Sequence, residues 1–116
     1  MSFAIEPMNQ HSVIVRIGTA LDLRNADAFK EACLDRVRDG TRNFILDFSE
    51  SGILDSTGLG AIFALRRQLE PLKGKVIFAS VSGSVKIVIQ LTRIYKVFQS
   101  YPSVEAAREA LIQPTA

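Results

Sequence analysis

Three short runs rich in β-branched and aromatic residues, Val13-Ile14-Val15-Arg16-Ile17, Phe44-Ile45-Leu46-Asp47-Phe48 and Val76-Ile77-Phe78-Ala79, recur along the chain with helix-spaced apolar residues between them. That alternation narrows the possible folds more than any other feature. Each run is bounded by Gly, Asn, Ser or Lys and predicts a strand. A β-α-β-α order with short connections predicts a mixed, largely parallel sheet with helices packed on it, because parallel neighbours require crossovers and helices supply them. Phe3-Ala4-Ile5 predicts a further strand, and Pro7, which lacks a backbone N–H for the ladder, places it at an edge or ends it.

The helical segments follow from spacing. Ala26, Phe29, Cys33 and Val37 share one face, with Asn25 as candidate N-cap, Asp27 in the favoured first turn and Gly40 as the stop. Leu59, Ile62, Phe63 and Leu69 form a second apolar face, with Arg66, Arg67 and Glu70 left for solvent and Lys73-Gly74 closing the segment. Ser103 caps a third, in which Val104, Ala107 and Leu111 align. Residues Ser84 to Thr92 fit both periods: Val85, Ile87, Ile89 and Leu91 alternate, while Val85, Val88, Ile89 and Thr92 are helix-spaced.

Length and charge set the outer limits. A chain of 116 residues with 47% hydrophobic residues buries one core, so residues 1–116 are expected to form a single domain. Fourteen basic against twelve acidic residues, dispersed along the chain, give no compositional support for nucleic-acid binding. No apolar stretch approaches the roughly 18 residues of a membrane span, and MSFAIEPMNQ lacks the basic start and apolar centre of a signal peptide, so a cytoplasmic protein with no membrane partner is expected. The lone Cys33 lies on an apolar helix face and reads as a small buried hydrophobe.

The chemistry concentrates in Gly52-Ile-Leu-Asp-Ser-Thr-Gly-Leu-Gly60. A serine-nucleophile elbow, G-x-S-x-G, would need Gly where Leu54 stands, and the chain has one histidine, His11, in a polar turn. The Asp-Thr-Gly or Asp-Ser-Gly spacing of an aspartic-protease carboxylate is broken because both Ser56 and Thr57 precede Gly58. Gly58-Leu59-Gly60 follows a strand and opens a helix, but Phe63 occupies the place of the third glycine of G-x-G-x-x-G, and no Walker lysine follows. One His, one Cys and scattered carboxylates offer no metal-ligand spacing, so neither metal nor cofactor is expected, nor any enzymatic activity. What remains is a hydroxyl at a helix start. Ser or Thr as an N-cap, worth typically ~1 kcal/mol, accounts for one hydroxyl. It leaves unexplained the second hydroxyl, the acidic neighbour and two glycines that each cost roughly 0.8–1.0 kcal/mol inside a helix relative to Ala. Bare glycines suit a surface that another protein approaches closely.

With Gly18-Thr19-Ala20-Leu21-Asp22, the strand Phe44 to Phe48, Asp55-Ser56-Thr57-Gly58-Leu59-Gly60 and Ser103-Val104-Glu105-Ala106-Ala107, the chain resembles the STAS family over nearly its whole length, and in particular the free-standing bacterial anti-sigma factor antagonists. The resemblance implies a small sheet with packed helices and a helical Ser84 to Thr92. It implies phosphorylation of Ser56 by an anti-sigma factor with serine-kinase activity, reversal by a serine phosphatase, and a partner surface comprising Asp22, Asp55, Ser56, Thr57, Gly58 and Gly60. The unphosphorylated form is expected to bind the kinase and the phosphorylated form to release it. A stressosome-like or other non-transcriptional partner switch, a transporter-associated STAS subunit and a nucleotide-binding STAS domain are the alternatives. Arg93 departs from the family pattern, in which many members carry Gly.

Overall fold

The computed structural model describes residues 3–112. Its main sheet has five strands, β1 (Phe3–Asn9), β2 (Ser12–Ile17), β4 (Asn43–Asp47), β6 (Lys75–Ala79) and β7 (Ser100–Tyr101), side by side in that order. β1 pairs antiparallel with β2, and all other neighbours are parallel. The mixed, largely parallel sheet expected from the strand-helix alternation is the one observed. β1 lies at the edge and continues through Pro7 to Asn9 with a register shift between them, as an edge strand can tolerate a residue without an N–H. A separate parallel pair, β3 (Ala20–Leu21) with β5 (Ile53–Leu54), has only two residues per strand. Strands this short carry no readable alternation, and neither β3, β5 nor β7 was predicted.

Four helices complete the order: α1 (Ala26–Arg38), α2 (Ser56–Leu69), α3 (Gly83–Thr92) and α4 (Val104–Ile112). Period 2 in the strands divides them between two faces. Phe44, Leu46, Val76 and Phe78 point to a large core with Phe29, Cys33, Ile62, Leu65, Val85 and Ile89 from α1, α2 and α3. Ile14, Ile45 and Ile77 point the other way, onto Ala107, Val104 and Leu111 of α4. Burying each large side chain such as Phe29 or Phe44, both fully inaccessible, contributes about 1.5–3 kcal/mol. Ser103 Oγ accepts the Ala106 N–H at 3.1 Å, the expected cap of α4. Asn25 precedes α1 but makes no side-chain cap bond to it. Its amide instead ties the preceding loop, accepting from the Asp22 N–H and donating to the Ala20 carbonyl.

Candidate functional site

The β3–β5 pair brings the two polar motifs of the sequence together. Leu21 lies opposite Leu54 in the ladder, and the Asp55 N–H donates to the Leu21 carbonyl at 3.3 Å as the chain turns into α2. Asp55 has an extended backbone and a carboxylate that works in two directions. Oδ1 accepts the Gly58 N–H at 2.8 Å, and Oδ2 accepts the Leu23 N–H at 3.1 Å. Asp55 is therefore the N-cap of α2, which corrects the expectation of a capping Ser or Thr: a carboxylate satisfies the helix donor and is favoured by the positive end of the dipole. The same group clamps the Leu23 loop to the start of α2.

With the cap supplied by Asp55, both hydroxyls are released. Ser56 and Thr57 are the first two helical residues, both are exposed, and neither hydroxyl has a protein partner among the described residues. Thr57 borders a shallow groove between α1 and α2 that also includes Lys30 and Gly60. The two glycines differ. A Cβ on Gly58 would lie 2.4 Å from the Leu21 carbonyl oxygen, so this buried glycine lets α2 sit against β3. Gly60 is exposed, and a Cβ there would meet nothing within 4 Å.

Asp22 occupies the loop between β3 and α1. Its carboxylate accepts the Arg24 backbone N–H at 3.0 Å and the Arg24 guanidinium at 2.8 Å. The Arg24 side-chain hydrogen bond, aided by the backbone one, holds the Asp22 carboxyl below its ordinary value. The sign follows from linkage: the pairing supports the folded loop above the ordinary aspartate range and is lost as pH falls through the lowered value. The Leu23 N–H hydrogen bond to Asp55 thus brings the Asp22 loop and the start of α2 together, a link that no sequence spacing predicts. Leu23 and Ile53 themselves, 73% and 51% exposed, stand as aliphatic side chains beside the polar turn. Their signal in the sequence was slight: single apolar residues in short irregular segments.

Among the described residues, no side chain hydrogen-bonds the Ser56 hydroxyl. His11 sits at the β1–β2 turn, where its backbone N–H bonds the Asn9 side chain. The Cys33 thiol is buried in the core, and burial pushes it up to about 12. Among the described residues no group of three or more His, Cys, Asp and Glu is placed to hold a metal ion. The Ser56 hydroxyl is exposed at the first turn of α2.

The fold is shared with several solved structures. The Bacillus anti-sigma factor antagonist SpoIIAA in its unphosphorylated form superposes with a TM-score of 0.84 at 20% identity, over 97% of this chain and 99% of that one. An anti-sigma factor antagonist from Mycobacterium paratuberculosis gives 0.83 at 23% identity, covering 96% and 93%. A sulfate transporter family protein from Wolinella succinogenes gives 0.77 at 16% identity, covering 94% and 93%. At these identities the likeness is one of fold. A family model for the STAS domain matches residues 5–107, from β1 into α4 and across both polar motifs. The chain belongs to the STAS domain family.

Proposed function

We propose that residues 1–116 act as one STAS domain that serves as an anti-sigma factor antagonist in a partner switch, with Ser56 as the phosphorylated residue. The observation that carries this reading is the division of labour at the start of α2. Asp55 takes the capping role, leaving the Ser56 hydroxyl exposed and unpartnered. Unphosphorylated, the surface around Asp22, Asp55, Ser56, Thr57 and Gly60 binds an anti-sigma factor with serine-kinase activity, Gly58 seating α2 beneath it. Phosphorylation adds roughly −1.5 to −2 charges. A partner face that accepted a neutral hydroxyl must then desolvate a dianion, and binding is lost. A serine phosphatase restores the first state. Among the described residues no helix is long and apolar enough to cross a membrane. The transporter-associated alternative is supported by fold likeness to the sulfate transporter family protein from Wolinella succinogenes.

The test is to incubate the protein with its kinase, ATP and Mg²⁺ and to map the site by mass spectrometry. Label on Ser56, absent in Ser56→Ala and retained in Thr57→Ala, is the expected result. Predominant label on Thr57 would overturn the assignment.

A further inference from the structure

Basic residues occur throughout the chain, whereas no acidic residue lies between Glu70 and Glu105. That interval holds Lys73, Lys75, Lys86, Arg93 and Lys96. All five are exposed, and none has an ion-pair partner among the described residues. Outside the interval nine basic residues face twelve acidic ones, so the net charge of +2 comes entirely from this segment. Exposed apolar residues gather in it too. Of eight large hydrophobic side chains exposed among the described residues, Leu72, Ile87, Leu91, Tyr95 and Val97 fall within it.

The topology brings much of this material to one end of the molecule. α2 and α3 carry the chain back to the starts of the parallel strands β6 and β7, so the last turns of both helices meet the first residues of β6. Single helical turns, Glu70–Leu72 and Ile94–Lys96, make the connections there. Lys75, Lys96 and Val97 line one groove at this end, with Arg66 beside them. Leu72 and Lys73 stand just before β6, and Leu91 and Arg93 close α3, the Arg93 carbonyl accepting the Lys96 N–H at 3.1 Å. The neighbouring Glu70 carboxylate is held by Arg66 at 2.6 Å. The negative end of the α2 dipole favours Arg66 and Arg67 in its last turn. It gives no reason for exposed aliphatic side chains among the lysines.

The mixture selects the partner. The buried centre of a protein–protein interface is depleted of charge, which aliphatics interspersed with unpaired lysines do not provide. A nucleic-acid backbone would use the cations and leave the aliphatics in water. An anionic lipid surface satisfies both at once, with phosphates at headgroup level and an apolar layer directly beneath. We propose that this end of the molecule rests on an anionic membrane surface. Lys73, Lys75, Arg93 and Lys96 meet the phosphates, and Leu72, Leu91 and Val97 reach past them into the acyl boundary. Such a contact needs no spanning helix, and it departs from the expectation of no membrane partner, which considered only spanning and leader segments. Ser56 opens the 14-residue helix α2 whose other end joins this surface, about 20 Å away along its axis. A protein seated in this way keeps its Ser56 end free, and the proposal does not rest on the partner switch.

The experiment is co-sedimentation of the full chain with vesicles of phosphatidylglycerol and phosphatidylcholine in equal parts, with pure phosphatidylcholine vesicles as control. Binding to the anionic vesicles alone, reduced by added salt, is expected. The triple variant Lys73→Gln, Lys75→Gln, Lys96→Gln changes exposed side chains only and should weaken binding by about tenfold or more, each cation near the surface being worth about fivefold. Leu91→Ser should weaken it by about fourfold, the value of one buried methylene group. Ser56→Asp should leave it unchanged, since the added charge lies beyond the Debye length of about 10 Å at 0.1 M salt. No binding to anionic vesicles, equal binding to both kinds, binding unaffected by either the lysine or the Leu91 substitution, or release by Ser56→Asp would overturn the proposal.

Discussion

Two glycines within three residues of each other fill different roles in the start of α2. Gly58 has its Cα hydrogens against the Leu21 carbonyl, whereas Gly60 faces open space. Gly58→Ala must push α2 away from β3 and should destabilise the fold by about 1–3 kcal/mol, the usual cost of overpacking against backbone. Gly60→Ala should instead stabilise by up to roughly 0.8–1.0 kcal/mol, because it removes a helix-weakening glycine without a clash. Urea denaturation of the two variants checks the pair, and equal effects at both positions would contradict the packing described. Both glycines were visible in the sequence as helix-weakening residues at a helix start. Which of them is buried was not, because the Leu21 carbonyl comes from a segment more than thirty residues earlier and only the β3–β5 ladder brings it there.

At the scale of elements, α3 shows how a misleading pattern is resolved. Val85 and Ile89 are buried and Val88 packs beside them, on the helix spacing. Ile87 and Leu91, which produced the apparent alternation, are 54% and 78% exposed. The family resemblance pointed to a helix where periodicity stayed divided, and α3 is a helix because its helix-spaced set fills the core beside β6. The helix ends on Arg93, whose φ of 59° is left-handed. The backbone there suits Gly, and the Arg93 side chain is strained by its Cβ. Arg93→Gly should raise stability by roughly 0.5–1 kcal/mol, the relief of strain being partly offset by the larger unfolded-state entropy of Gly. A higher urea midpoint with unchanged slope is the expected reading. A lower midpoint would mean that the exposed Arg93 side chain contributes more than its backbone costs.

For the molecule as a whole, the proposed phosphoacceptor stands outside both cores. The Ser56 side chain is exposed, outside the buried hydrophobic clusters. A negative charge there is favoured by the α2 dipole by about 0.3–1 kcal/mol and opposed by the carboxylates of Asp55 and Asp22. The net change should be under roughly 1 kcal/mol, or a few degrees in Tm for a domain of this size. Ser56→Asp is therefore expected to keep its far-UV spectrum and a Tm close to that of the unmodified protein, measured by circular dichroism, while losing the kinase-type partner. Unfolding or a change in helix content would mean that the charge acts through conformation.

The sequence by itself determined the parts of the fold that rest on local pattern: three core strands, the helices opening near Asn25 and Ser103, the stop at Gly40, and an edge role for the strand containing Pro7. It also isolated Asp55-Ser56-Thr57-Gly58-Leu59-Gly60, because polar and glycine residues behind an apolar run violate the pattern of a core. Tertiary structure alone decided how that segment is used. Whether Asp55 or a hydroxyl caps α2 depends on where the Leu23 N–H lies, and that donor arrives through the pairing of two-residue strands too short to have a period.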